Sequence, residues 1–197
     1  MNKKQQEEMQ MPNQFELSLD EARYILLYTE INWESAKEIN TKLLGMALEN
    51  KKKPIYLEIN SPGGNVNDGI AIINTIQNLP CAVISVINGM AASMAGFISV
   101  VADHRIITAN SYWMGHAGSD GVCGNTDTIL DRGIFLKRLD DNLNKIFKER
   151  TKINDEDFAK ILKGELWLDP EDCLKKGIVD EILKTPTRRI TKKERKK

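Results

Sequence analysis

Two segments of the chain share the same order of patterns, and this order most constrains the fold. In each segment, an apolar run of strand length leads into a short turn, and an apolar helical pattern follows. The first unit has a strand over residues 54–59, the turn Asn60-Ser-Pro-Gly-Gly64 and a helix over 68–78; the second has a strand over 82–87, the turn Asn88-Gly89 and a helix over 93–102. Strands that alternate with helices predict an α/β domain with a largely parallel sheet. Both turns then lie beyond the carboxyl ends of strands, where ligands and chemistry gather in such sheets.

The remaining patterns extend this α/β assignment. They predict strands over 24–28, 105–108, 112–114 and 178–183, helices over 33–49, 126–150 and 155–162, and a helical turn from Pro170. The helix over 126–150 carries an approximate apolar stripe formed by Ile129, Leu136, Leu139, Leu143, Ile146 and Phe147. Periodicity alone leaves two interpretations open: this helix packs on its own sheet, or it projects and packs on another copy of the chain.

The C-terminal tail differs from the rest of the chain in net charge. The formal net charge of the 197 residues is zero, but residues 188–197 contain seven basic residues and one acidic residue, so the tail carries +6 and the rest −6. The tail has no aromatic residue to stack on bases and no amphipathic repeat to lie on lipid. A solvated terminus is therefore favoured over a nucleic-acid or lipid contact. We expect a flexible segment over 1–20, one domain over 21–185 and a basic tail over 186–197.

Several classes of protein are disfavoured by the sequence. The polar N-terminus lacks the apolar core of a signal peptide, and the apolar stretch from Ala82 to Val101 is interrupted by Asn88, Gly89 and Ser93. The three scattered cysteines, Cys81, Cys123 and Cys173, favour neither disulfides nor a zinc site, and each is expected to be buried. We therefore expect a cytoplasmic protein with no membrane segment, metal or cofactor.

The segment Asn88-Gly-Met-Ala-Ala-Ser-Met-Ala-Gly96 places a serine where an apolar strand passes into an apolar helix. A hydroxyl at the positive end of a helix favours developing negative charge, and the backbone N–H of Met94 is free to stabilise an oxyanion. Ser93 is therefore a candidate nucleophile, although the G-x-S-x-G spacing of a nucleophile elbow is absent. A serine that caps the helix explains the same pattern, and this segment by itself favours the capping role.

The glycine pair at Gly63-Gly64 and the histidines supply candidate partners for this serine. Consecutive glycines let the backbone approach another group, so the turn either provides a second oxyanion donor or is a plain turn. No Gly-Lys-Ser/Thr follows, which disfavours phosphate binding. Of the two histidines, His104 lies in a polar junction, whereas His116 begins a glycine-rich loop at the same sheet edge as the turns and is the better candidate base. Spacing does not choose an acid among Glu165, Asp169 and Asp172.

Three motifs together resemble the proteolytic subunit family of the Clp protease, over most of the chain from about Arg23 to Leu183. The segment Ile59-Asn-Ser-Pro-Gly-Gly64 matches the family's I-N-S-P-G-G, and Gly89-Met-Ala-Ala-Ser-Met-Ala-Gly96 matches its G-x-A-A-S-M-G/A. Gly177-Ile-Val-Asp180 matches the closing G-L-V-D. The first two motifs, about thirty residues apart, form a specific signature.

This resemblance implies a serine peptidase of the crotonase-like fold. Ser93 falls on the family's nucleophile and His116 on its histidine, while the N–H groups of Gly64 and Met94 fall on its oxyanion hole. Glu165 occupies the position of the catalytic aspartate, counted twelve residues back from Gly177. The helix and the loop before it, over about 118–150, fall on the handle through which two seven-membered rings stack. The resemblance also implies a ring ATPase that feeds unfolded chains into the enclosed chamber.

Glu165 in place of aspartate, Leu166 in place of an arginine and a shorter N-terminal segment indicate a divergent branch. The expected activity is hydrolysis of peptide bonds in unfolded proteins or peptides by a Ser–His–acid triad. Alternatives of the same fold are a phage-type maturation protease, a membrane-associated peptidase with a Ser–Lys pair, an acyl-CoA enzyme, and an inactive ring subunit or scaffold.

Overall fold

A computed structural model describes residues 22–118 and 123–184, and these form an α/β fold around a mostly parallel sheet. The strands are β1 (Tyr24–Leu27), β2 (Ile55–Ser61), β3 (Val83–Ala92), β4 (His104–Thr108), β5 (Tyr112–His116), β6 (Glu165–Leu168) and β7 (Glu181–Leu183). The helices are α1 (Trp33–Glu49), α2 (Val66–Asn78), α3 (Met94–Val101), α4 (Thr126–Arg150), α5 (Asp155–Lys163) and α6 (Pro170–Lys175). The α/β class predicted from the sequence is confirmed.

The sheet divides at β3, the longest of these strands. Its first half pairs in parallel with β2 and β4, in the strand order β1-β2-β3-β4-β7. Its second half leaves this path and pairs in parallel with β5, which in turn pairs antiparallel with β6. One strand therefore links the main sheet to the smaller group of strands that carries His116.

The division of β3 depends on Gly89. This glycine has φ +117°, and a Cβ at its position would lie 2.6 Å from the side-chain oxygen of Asn60. Only glycine satisfies both conditions without strain. The sequence predicted a turn that ends the strand at Asn88-Gly89, and this prediction is wrong. The strand bends there and continues to Ala92, because its second half finds new hydrogen-bond partners in β5.

Helix α2 packs on α1 and on α3, while α1 contacts β1 and β2 and α3 contacts β2 and β3. Helix α1 begins at a capping box in which Asn32 and Ser35 accept hydrogen bonds from each other's backbone N–H. Its buried residues are Ala36, Ile39, Leu43, Met46 and Ala47. Alternate residues of β2, namely Ile55, Leu57 and Ile59, are also buried, which is the pattern expected when one sheet face meets the core.

Helix α4 differs in burial between its two ends. Near its C-terminal end Phe147 is buried and stacks on Trp113 of β5, with the ring centroids 5.6 Å apart. Near its N-terminal end the apolar side chains of Ile129, Leu130, Ile134 and Phe135 are exposed. Packing on the chain's own sheet therefore holds for the C-terminal end, and packing on another copy stays a prediction.

Three further predictions differ from the structure. Residues 165–168, left without a strand assignment, form β6, and the final strand begins at Glu181 and not at 178. Cys81 and Cys173 are buried as expected, but Cys123 is exposed. The N-terminal segment and the basic tail lie outside the described residues. Within the part of the chain that is described, none of the helices combines the length and apolarity needed to cross a membrane.

Candidate active site

Ser93 occupies a strained backbone conformation between β3 and α3. Its φ is 52° and its ψ −125°, a region that side-chain-bearing residues rarely adopt and that costs about 1–3 kcal/mol. The conformation is held by its own N–H, which donates to the Met114 carbonyl of β5 at 2.9 Å. The Ser93 side chain makes no capping hydrogen bond to α3. The capping role that the segment alone favoured is therefore wrong, and the hydroxyl is left available for other contacts.

The glycine turn after β2 lies directly against Ser93. A Cβ on Gly63 would fall 2.7 Å from the Ser93 Cβ and 2.9 Å from the Met94 nitrogen, and Gly63 has φ +95°. The same turn is fixed on its other side by Ile31, whose N–H donates to the Gly63 carbonyl and whose carbonyl accepts from the Asn65 N–H, both at 2.8 Å. Contact this close, in this backbone conformation, requires glycine.

Among the described residues, the two candidate oxyanion donors have no partner in the contacts that surround them. In the parallel bridge between Ile31 and Gly64, the Gly63 carbonyl and the Asn65 N–H point toward Ile31, so the Gly64 N–H between them points away from Ile31. Met94 is the first residue of α3, and its N–H has no acceptor within the helix. That both groups donate to an oxyanion stays a prediction.

His116 is the last residue of β5, and the pairing that holds Ser93 also positions it. Ala92 of β3 pairs with Met114 of β5, and the two strands are neighbours. Ser93 comes one residue after this pair and His116 two residues after it, so both lie at the same end of the two strands. The next residue, Ala117, donates its N–H to the Ile161 carbonyl of α5 at 2.8 Å. The segment that carries His116 is therefore held on one side by the pairing with β3 and on the other by the bond to α5. The His116 side chain is half-buried.

Ser93 and His116 line one recess, which we call the serine recess. Its lining residues are Val66, Ser93, Met94, Phe97, His116, Ala117, Gly118, Asp140, Leu143, Asn144 and Leu162. Among the described residues neither the Ser93 hydroxyl nor the His116 ring makes a hydrogen bond, so the two groups share the recess without being joined. A neighbouring depression, the glycine recess, is lined by Gly64, Asn65, Val66, Asn67, Gly118, Arg132, Phe135, Leu136, Leu139 and Asp140.

Glu165 is the residue opposite His116 in the antiparallel pair of β5 and β6. Opposite residues in such a pair present their side chains on the same face, with Cβ atoms about 4.5–5.5 Å apart. The Glu165 side chain is exposed and accepts a hydrogen bond from the Trp167 indole at 2.8 Å, so it does not line the serine recess.

The other two acids considered have local structural roles. Asp169 caps α6 by accepting the Asp172 N–H at 2.8 Å, and Asp172 pairs with Lys175 at 3.5 Å. Neither lines the serine recess. The structure therefore brings Ser93, His116 and Met94 together, places Gly64 and Glu165 beside them, and leaves Asp169 and Asp172 in other contacts.

Asp140 of α4 is a recess residue that the sequence analysis did not single out. It lines both recesses, and burial raises the pKa of its carboxyl above the ordinary value. The available signal was its spacing: it lies four residues after Leu136 and three before Leu143, which puts a carboxylate on the apolar face of the helix. Among residues 22–118 and 123–184, no group of three His, Cys, Asp or Glu side chains is arranged to hold a metal ion.

Comparison with known proteins places these features in one family. Residues 5–186 match the sequence model of the family described as Clp protease. A Rhodopirellula baltica protein named ATP-dependent Clp protease proteolytic subunit 1 is 34% identical over 165 residues, covering 83% of this chain and 73% of that protein. A Deinococcus radiodurans protein named ATP-dependent Clp protease proteolytic subunit is 30% identical over 163 residues, covering 82% and 80%. The chain belongs to the Clp protease family.

The strain at Ser93 predicts the relative stability of two variants that both lack the hydroxyl. Because glycine adopts positive φ without cost, Ser93→Gly should be more stable than Ser93→Ala by about 1 kcal/mol. Denaturant unfolding of the two purified variants measures the difference. The same pair of substitutions at Ser35, in the first turn of α1, is the control and should show the opposite order, since glycine weakens helices. An alanine variant at position 93 as stable as the glycine variant would contradict the assigned backbone conformation.

Proposed function

We propose that this member of the Clp protease family is a serine endopeptidase in which Ser93 is the nucleophile and His116 the general base. The observation that carries the proposal is the strained backbone of Ser93, whose hydroxyl makes no capping bond and lines a recess together with His116. A nucleophile presented on a strained strand-to-helix turn is the arrangement used by serine hydrolases of other folds. Family membership supports the same chemistry.

The reaction follows from the groups around the serine recess. The Ser93 oxygen attacks the carbonyl carbon of the peptide bond while His116 takes the hydroxyl proton. The N–H groups of Gly64 and Met94 donate to the oxyanion, where one such donor is worth about 10²–10³ in rate. His116 then gives its proton to the leaving amine, and water hydrolyses the acyl-enzyme by the same steps.

Glu165 completes the triad in this proposal. Its position opposite His116 allows the carboxylate to leave the Trp167 indole and accept a hydrogen bond from the imidazole. A carboxylate in that role selects the tautomer of the base and stabilises the imidazolium that forms. Because Glu165 is exposed, its longer side chain has room to exchange the Trp167 indole for the imidazole.

The lining of the serine recess distinguishes this proposal from a Ser–Lys peptidase. No lysine is among the described residues that line the recess, whereas a histidine is. Strained residues of this kind cluster at active sites, which favours catalysis over an inactive scaffold of the same family. The recess therefore favours catalysis.

We further propose that the chain acts inside a chamber of stacked rings, with a separate ring ATPase supplying unfolded substrate. Both relatives are named as ATP-dependent proteolytic subunits, which supports an assembly that contains an ATPase. The exposed apolar residues of α4, among them Leu130 and Ile134 at 60% and 55% exposure, support a contact between copies. Two seven-membered rings joined through α4 would bury this surface.

Replacing Ser93 by alanine should abolish peptide hydrolysis. The unmutated assembly should cleave fluorogenic peptides and become labelled at Ser93 by a serine-reactive phosphonate, and the variant should do neither. Peptide mass mapping locates the label. Ser99, a buried serine within α3, offers the control variant Ser99→Ala, which should still be labelled. Absence of both activity and labelling in the unmutated assembly would refute the proposed function.

Variants of the acids test the third member of the triad. Glu165→Ala should lower kcat/KM by about 10²–10⁴ because the imidazole loses its orienting partner. Asp169→Ala should keep most of the activity and lose about 1 kcal/mol of stability, since it removes the cap of α6. Steady-state kinetics and denaturant unfolding of both variants separate the two effects. The reverse result, with activity lost only in Asp169→Ala, would show that Glu165 is not the acid.

A charge on the exposed face of α4 should disrupt ring stacking. Ile134→Asp places a carboxylate in the proposed contact, so the assembly should dissociate into species of half the mass. Asn142→Asp adds the same charge at an exposed polar position of the same helix and is the control. Sedimentation velocity measures the masses. A single-chain mass for the unmutated protein would contradict the ring assembly.

A further inference from the structure

We propose that Asp140 is a specificity-determining residue that binds a basic side chain of the substrate, Lys or Arg, next to the bond that is cleaved. The inference rests on the proposed function of Ser93 and His116, because it concerns the substrate that reaches them. In this role Asp140 selects among peptides and takes no part in the chemical step.

Asp140 lies where the two recesses meet. It lines the serine recess together with Ser93 and His116, and it also lines the glycine recess together with Gly64. Its Oδ1 oxygen lies 3.0 Å from where a Cβ on Gly118 would be. A peptide bound with its carbonyl toward the Gly64 and Met94 N–H groups therefore passes beside this carboxylate.

The Asp140 carboxylate is partly buried and makes no hydrogen bond among the described residues. Within the described residues Asp140 makes no hydrogen bond or ion pair, whereas the neighbouring Asp141 pairs with Lys137. Burial nevertheless raises the pKa of the Asp140 carboxyl, with Lys137 acting in the opposite direction. A carboxylate that has lost part of its water and makes no hydrogen bond among the described residues is stabilised when a cation enters.

The walls around Asp140 suit the rest of a basic side chain. Leu136, Leu139 and Leu143 flank it on α4, and Val66 and Phe97 face it from α2 and α3. Lys and Arg have long methylene stems that pack on apolar surfaces while the charged end reaches a polar group. Arg132 also lines the glycine recess but already has an interaction of its own. The apolar side chains of this lining, together with the Asp140 carboxylate, are complementary to the stem and the charge of Lys or Arg.

Two peptides that differ in one residue provide the first test. The assembled protein is given a peptide with Lys beside the cleaved bond and the same peptide with Gln there, and a mixed library read by mass spectrometry identifies which side of the bond matters. We expect a Lys-to-Gln ratio of kcat/KM of about 3–10, falling with added salt. Asp140→Asn should bring the ratio close to one. Asp141→Asn removes a neighbouring charge that does not line either recess, and it should leave the ratio unchanged.

Binding to the Ser93→Ala variant provides a second test that does not depend on catalysis. The Lys peptide should bind more tightly than the Gln peptide by a similar factor, measured by fluorescence anisotropy, and the Ser93→Ala/Asp140→Asn protein should lose the difference. A binding preference without cleavage by the unmutated protein would refute the proposed function and support the Asp140 site. Cleavage with a ratio that Asp140→Asn does not change would refute the Asp140 site and leave the proposed function standing. If Asp140→Asn lowered the rate equally for the Lys and the Gln peptide, the Asp140 site would also be refuted, because Asp140 would then act on the chemical step.

Discussion

The hydrogen bond from the Ser93 N–H to the Met114 carbonyl holds together the parts on which this site depends. It joins the end of β3 to β5 and fixes the strained conformation of Ser93. The same pairing sets the position of His116, two residues further along β5. Strain of this kind persists only where the surrounding structure over-determines it, and here a strand on one side and a glycine turn on the other do so. Without the second half of β3, neither group would have its present position.

Three glycines allow neighbouring elements to pack closely around Ser93 and Met94. Gly89 bends β3 so that one strand serves two partners, and Gly63 lets the turn after β2 approach Ser93. Gly69 of α2 plays a similar part, because a Cβ there would fall 2.2 Å from the Met94 side chain. Helix α2 can therefore pack closely on the residue whose N–H faces the recess. Each of these approaches depends on a missing side chain.

Helix α4 joins the site to the surface of the molecule. Its C-terminal end is fixed by Phe147 on Trp113, and its middle part supplies Asp140 and Leu143 to the serine recess. Its N-terminal end carries exposed apolar residues. The contact between copies proposed for that end would therefore involve the same helix that forms one wall of the recess.

The sequence by itself predicted the order of most helices and strands and offered Ser93 and His116 as candidates, because hydrophobic periodicity and glycine turns are local signals. The choice of Ser93 as nucleophile rested on the family motifs, since its own segment favoured a helix cap. Helices α1 and α4 have the predicted bounds, since each carries its own cap and apolar pattern. Only the tertiary structure decided that β3 continues past Gly89, that β6 pairs antiparallel with β5, and that Ser93 does not cap its helix. These features depend on partners distant in the chain, which no local pattern records. Asp140 is the clearest case: its spacing was visible, but only the packed helix shows that this carboxylate faces the recess of Ser93.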